Sequence, residues 1–143
     1  MVDALEFRGR AVRVKDSIST DKSVPLAARG MAGCVGVVDS VKGDKVSLNV
    51  PIAKSYIPAC HVDLVDFPED SFACIEKSGG FSRSWLMQSV NEATARWVAD
   101  RVLLDNLAGG RFPTVEIYHA SDDGGDEYSL EFIASKSIRG FQL

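Results

Sequence analysis

The chain has 143 residues, 45% of them hydrophobic and 25% charged, with a formal net charge of −4. This is ordinary globular composition, enough for one full domain or two small ones. It excludes a membrane-spanning helix, because no apolar run approaches the ~20 residues that cross a bilayer, and MVDALEFRGR has neither the basic start nor the apolar core of a signal peptide, so a cytoplasmic protein is expected.

From residue 7 to residue 66 the hydrophobic pattern has period two. AVRVK puts Val12 and Val14 on one face; CVGVV follows; DKVSLNV alternates Val46, Leu48 and Val50 with Ser47 and Asn49. Each run reads as a strand. SVKGDK carries the Gly and Asp of a tight hairpin, expected to be slightly longer than two residues. Pro51 ends the third strand, and SYIPACHVDLVD resumes alternation through Val62 and Leu64. Four or five short strands in about 60 residues, with turns every 8 to 12, predict a small antiparallel barrel or sandwich. Gly30, Gly33 and Gly36 stand where the chain enters the second strand, where glycine lets a strongly curved sheet turn.

The series GRAVRV, GMAGCVGVV, DKVSLNV and IPACHVDLV, over residues 7 to 66, resembles the KOW-type SH3-like barrel of bacterial transcription-elongation factors and some ribosomal proteins. That resemblance implies a small closed barrel with a surface for nucleic acid or protein. The chain departs from it at DSISTDKSVPLAA, a long, nearly neutral insertion where family members carry a short basic loop.

FPEDSFACIEKSGG joins the halves, with one short strand near residues 72 to 75 and a turn at KSGG. WLMQSVNEATARWVADRVLLDNLA then predicts a helix over residues 83 to 108, capped by Ser82 or Ser84 and stopped by Gly109 and Gly110. Its apolar stripe would run through Leu86, Val90, Ala93, Trp97 and Leu104, leaving Val98, Val102 and Leu103 outside it. Glu92 and Arg96, four apart, form a favourable pair on the wet side. FPTVEIYHA and EYSLEFIA alternate around SDDGGD and predict a hairpin. The fold expected is α+β: a barrel domain over residues 1 to 68, then a β-α-β-β unit over residues 69 to 143 with the helix on a small antiparallel sheet.

Chemistry-bearing patterns are scarce. Cys34, Cys60 and Cys74 are odd in number and widely spaced, which argues against a disulfide framework or a structural zinc site. Cys60 and His61 are adjacent, but neighbours on a strand point to opposite faces, so a thiol–imidazole pair would need His119 to approach a cysteine. The acidic group near His119 lacks the spacing of a calcium loop. RGMAGCVG lacks the G-K-[ST] ending of a phosphate loop.

No cofactor or metal is therefore expected, and the sequence reads as a non-enzymatic adaptor, inhibitor or assembly subunit that works through its surface. The contact residues expected are the acidic hairpin tip, Asp122, Asp123, Asp126 and Glu127, and the insertion, with Asp21, Lys22 and Val24. A basic protein surface is the matching partner, since residues 67 to 143 hold 7 basic against 12 acidic side chains. One alternative is RNA or ribosome binding by the barrel through Arg8, Arg10, Arg13, Lys15 and Arg29, in a segment whose first 66 residues balance 9 basic against 8 acidic groups, and the other is a cysteine-dependent enzyme.

Overall fold

A computed structural model describes residues 4–51, 55–68, 70–111, 113–122 and 128–137. The chain is α+β, with two antiparallel sheets and one long helix.

The first sheet contains β1 (Ala11–Val14), β2 (Val35–Lys42), β3 (Lys45–Leu48), β4 (Ile57–Pro58) and β5 (Val62–Leu64), in the order β4-β3-β2-β1-β5. The period-two pattern is realised: Val12, Val14, Val46 and Leu48 are fully buried. Lys42 pairs directly with Lys45, so the β2–β3 turn is two residues, shorter than expected. Gly43 at φ +63 supplies the left-handed backbone that such a turn needs. A bulge between Val38 and Ser40 bends β2, whose first part pairs with β1 and whose remainder pairs with β3. A 3-10 turn (Ala59–His61) joins β4 to β5. Among the described residues these end strands do not pair with each other, so the hydrogen-bonded sheet is open where a closed barrel was expected.

Of the three glycines before and within β2, each has its own task. Gly33, at φ +85, turns the chain into β2. Gly36 lets the β3 side chain Leu48 come close: a Cβ there would sit 3.3 Å from Leu48 Cδ1. Gly30 ends a short helix, α1 (Leu26–Arg29), beside the Trp97 ring.

The second sheet contains β6 (Ser71–Ser78), β7 (Phe81–Gln88), β8 (Thr114–Asp122) and β9 (Tyr128–Ser137), in the order β7-β6-β8-β9. Between β7 and β8 runs α2 (Glu92–Ala108). The unit is therefore β-β-α-β-β, and the predicted helix is nine residues too long at its start. Residues 81 to 88 are a strand because Phe81, Arg83, Trp85 and Met87 alternate with Ser82, Ser84, Leu86 and Gln88, and Gly79-Gly80 closes a two-residue hairpin between Ser78 and Phe81. The helix starts at Asn91, whose side chain accepts from the Thr94 N–H, not at Ser82 or Ser84.

That shift changes the helix's phase. A stripe drawn through Leu86 and Val90 uses residues that are not helical. The buried face instead carries Thr94, Ala95, Val98, Ala99, Val102, Leu103 and Asn106, with Trp97 beside it, while Leu104 is half exposed. Val98, Val102 and Leu103 are thus core residues and offer nothing to a partner. The expected Glu92–Arg96 pair forms at 2.8 Å.

The start of α2 joins the two halves. β3 pairs with β2 only from Val38 onward, so beyond it the edge of β2 has no strand neighbour there. Asn91 and Thr94 fill this gap: both accept from Val35 N, at 3.0 and 2.9 Å, and Thr94 Oγ1 donates to Val35 O at 2.7 Å. Asn91 Nδ2 donates to Gly33 O at 2.9 Å, and Trp97 Nε1 donates to Ala27 O at 3.0 Å. Side chains from both sheets and the helix form one continuous buried cluster.

Candidate functional site

Residues directly opposite each other in adjacent strands point to the same side of a sheet. In the second sheet, the side carrying Phe72, Cys74, Val115 and Ile117 lies under α2 and is buried. No helix covers the other side among the described residues. There the register aligns Leu86, Ala73, Tyr118 and Phe132 in one row across all four strands, with Gln88, Ser71, Ala120 and Leu130 as the next row. Leu86 is 44% exposed, Leu130 46% and Phe132 55%, so the edge strands carry the apolar bulk and leave it in water. Scattered exposed leucines are normal, but a register-aligned row spanning four strands is a contiguous apolar patch.

Polar groups brace this patch. Tyr118 and Phe132 meet edge to face with centroids 5.6 Å apart. The Tyr118 hydroxyl donates to Glu116 at 3.0 Å, and Lys77 Nζ holds the same carboxylate at 2.8 Å. The Lys77 bond keeps Glu116 below the usual carboxylate range, while loss of water contact, then the bond to Glu116, moves the Tyr118 phenol upward. Gln88 Nε2 donates to the Tyr128 hydroxyl at 2.7 Å, reaching over the small side chains of Ser71 and Ala120. The aromatic rings are therefore held in place before any partner arrives, which lowers the ordering cost of binding.

The contact residues expected from sequence fall in different places. Asp122 is exposed at the end of β8, opposite Tyr128. Asp123, Asp126 and Glu127 lie outside the described residues. In the insertion, Lys22 is exposed and Val24 is buried in the core, so the apolar side chain that faces water is Leu26, 76% exposed. Asp21 is occupied: its carboxylate accepts from the Ser23 hydroxyl at 2.6 Å and backbone N–H at 3.0 Å, and lies 2.7 Å from His61 Nε2. The Ser23 hydroxyl, then His61, lowers the Asp21 pKa to about 2.

His61 is 8% exposed and has both ring nitrogens engaged, since Nδ1 lies 2.9 Å from the Ser17 hydroxyl. An ionised carboxylate only accepts, so Nε2 carries a proton toward Asp21, and in the neutral ring Nδ1 accepts from Ser17. Ser17, His61 and Asp21 thus form one hydrogen-bonded chain that fastens the insertion to the β4–β5 turn. Nothing in the sequence signalled it, because Ser17 and His61 are 44 residues apart.

Of the cations expected at phosphates, Arg13 approaches Asp16 at 4.0 Å, Lys15 approaches Asp63 at 3.4 Å, and Arg29 Nε donates to Val24 O at 3.1 Å. Arg8 and Arg10 are exposed around Gly9. Carboxylates thus sit within the basic group and weaken its field.

The thiols stay apart from the imidazoles. Burial pushes Cys34 up to about 11 and Cys74 up to about 12, so both are protonated at neutral pH. Cys60 is exposed, but it shares a 3-10 turn, not a strand, with His61, whose nitrogens are taken. His119 bonds Asp70 at 3.0 Å and packs on Phe72. Among the described residues no three His, Cys, Asp or Glu side chains group as metal ligands, and no helix is long and apolar enough to cross a membrane.

Compared with known proteins, the chain matches no family model, no curated protein and no solved structure.

Proposed function

We propose that the protein is a non-enzymatic protein-binding module whose docking surface is the uncovered side of the second sheet. The observation that carries this reading is the row Leu86, Ala73, Tyr118 and Phe132, which crosses all four strands with half-exposed apolar side chains at its ends. Water contact with such a row costs free energy of ~25 cal/mol per Å² of apolar surface, which a partner's apolar strip recovers. The partner that fits is a protein with an apolar strip and basic flanks, because residues 67 to 143 carry 7 basic against 12 acidic side chains. The first sheet supports the same class of role. Its strand order β4-β3-β2-β1-β5, with a 3-10 turn between β4 and β5, favours reading it as an SH3-like small barrel, an architecture that serves many unrelated partners.

The test compares wild type with Phe132→Ser and Leu130→Ser, each checked for an unchanged circular dichroism spectrum, as bait in the native host's extract. A protein held by wild type and lost by both variants, then rebound as a purified salt-sensitive pair, supports the reading. Identical captured sets for all three baits overturn it. So does retention that nuclease abolishes, which points to RNA, or a wild-type dimer that the substitutions dissociate.

A further inference from the structure

The row of the second sheet that faces α2 outlasts the helix. α2 ends at Ala108, and past its last turn lies a half-open cleft of about 220 Å³ lined by Glu76, Ser78, Phe81, Arg83, Asn106 and Arg111. Glu76 lies on β6 directly opposite Arg83 on β7, as Ser78 lies opposite Phe81. The Glu76 carboxylate forms the floor. Its side chain is 4% exposed and both oxygens are taken: Arg83 Nε and Nη2 donate to Oε1 at 2.9 and 2.6 Å, Nη2 also reaches Oε2 at 3.0 Å, and Asn106 Nδ2 donates to Oε2 at 3.0 Å.

Asn106 also holds the second guanidinium. Its Oδ1 accepts from Arg111 Nε at 3.0 Å, and its carbonyl accepts from Arg111 N at 2.8 Å. Arg111 is thus oriented through Nε, while its two terminal amino groups have no hydrogen-bond or ion-pair partner among the described residues. Glu76, by contrast, has no capacity left for a further cation. Two guanidinium charges stand against one carboxylate and the roughly half-unit negative end of α2, so the cleft is net positive. On the open side stands Phe81, 82% exposed, the most exposed large hydrophobic side chain described.

We infer that this cleft is a binding site for a carboxylate that carries an apolar or aromatic group. A planar guanidinium with two free amino groups matches the two oxygens of a carboxylate. The cleft's positive balance, about half a unit, favours a singly charged anion over a neutral or cationic group, and the Phe81 ring offers a surface for the group attached to it. The cleft is smaller than one built for a drug-sized ligand, so it takes a small acid or the terminal carboxylate of a chain. It is separate from the uncovered sheet side, to which Phe81 and Arg83 do not point.

The experiment is a titration of the full chain with sodium benzoate, followed by amide and arginine side-chain NMR shifts. Saturable shifts confined to the hairpin end and the C-terminus of α2 are expected, with Kd on the order of 1 mM for a ligand of this size. Benzamide, equal in shape and uncharged, is expected not to bind. Arg111→Gln should weaken benzoate by about tenfold or more, the loss of one charge-assisted bidentate contact. Phe81→Ser should weaken it less, with the rest of the spectrum unchanged in both variants. N-acetylphenylalanine in place of benzoate separates the sources: tighter binding identifies a chain terminus, and weaker binding a free acid. No saturable shift with either acid overturns the inference. So does equal binding of benzamide, binding of inorganic phosphate as tight as that of the acids, or full benzoate affinity in a folded Phe81→Ser or Arg111→Gln chain.

Discussion

Replacing Thr94 by Val tests whether the start of α2 stands in for a missing strand neighbour of β2. The two side chains have the same shape, and Thr94 is fully buried, so the substitution removes a hydroxyl without opening a cavity. The hydroxyl donates to Val35 O at 2.7 Å and accepts from Val35 N at 2.9 Å. Val35 N keeps the Asn91 Oδ1 acceptor at 3.0 Å, and Asn91 Oδ1, which the hydroxyl also reaches at 2.8 Å, keeps the Thr94 and Val35 N–H groups, so the Val35 carbonyl is the strong acceptor that loses its donor. An orphaned buried acceptor costs about 1–3 kcal/mol, and ~2 kcal/mol is expected here. With a urea slope of ~2 kcal/mol/M, the unfolding midpoint falls by about 1 M. Thr94→Ser keeps the hydroxyl and loses one methyl group, so it should cost less, ~0.8 kcal/mol. Urea titrations followed by tryptophan fluorescence and by far-ultraviolet circular dichroism give both values and show whether the two signals still coincide. A Thr94→Val loss below ~0.5 kcal/mol, or a Thr94→Ser loss as large, would refute the reasoning. It would mean that water reaches Val35 and that the helix start does not seal the sheet edge.

Two further outcomes follow from the titrating groups. The Asp21 pKa is lowered from 3.8 to about 2, so its contribution to stability is fully present above the unfolded value and is lost as the pH falls through the folded one. Asp21→Asn should therefore flatten the acid side of the stability curve in that window, measured as unfolding midpoint against pH; an unchanged slope would show that the Ser23 and His61 contacts do not persist in solution. Of the three cysteines, only Cys60 is exposed, while Cys34 and Cys74 are buried and shifted to about 11 and about 12. An aromatic disulfide reagent at pH 8 should titrate one thiol rapidly in the native chain and all three after denaturation; rapid release from more than one native thiol would contradict the burial of the other two.

How far local pattern reaches is plain from particular elements. Val12, Val14, Val46 and Leu48 alternate with polar residues and fold as read, because period two places each pair on one side of its strand, even in β3, where Ser47 on the other side is buried as well. FSRSWLMQ also alternates, and two glycines precede it, yet its good helix formers merge with the true helix that follows. Propensity is a weak prior there. Pairing with β6 along eight residues outweighs it, and the length of the helix and the phase of its apolar face both follow from that pairing. Val24 fails for a related reason: a long, polar-looking insertion reads as surface, but Val24 is buried in the core, and the α1 that follows it is held by Trp97 through the Ala27 carbonyl, 70 residues away in the chain.

By itself the sequence determined the α+β class, the positions of most strands, the end of α2 and the burial of the valines in β1 and β3, since each depends on neighbours within a few residues. The tertiary structure alone decided which side of the second sheet the helix covers, and therefore where Leu86, Tyr118, Leu130 and Phe132 meet water. It alone joined Ser17 to His61 and tied Asn106 on α2 to the Glu76 carboxylate on β6, so that Arg83 and Arg111 line one cleft. The Ser17–His61 and Glu76–Asn106 contacts link residues 44 and 30 positions apart, and period, propensity and turn chemistry are blind at that range: strand order and register set such distances, and both are settled only when the whole core closes.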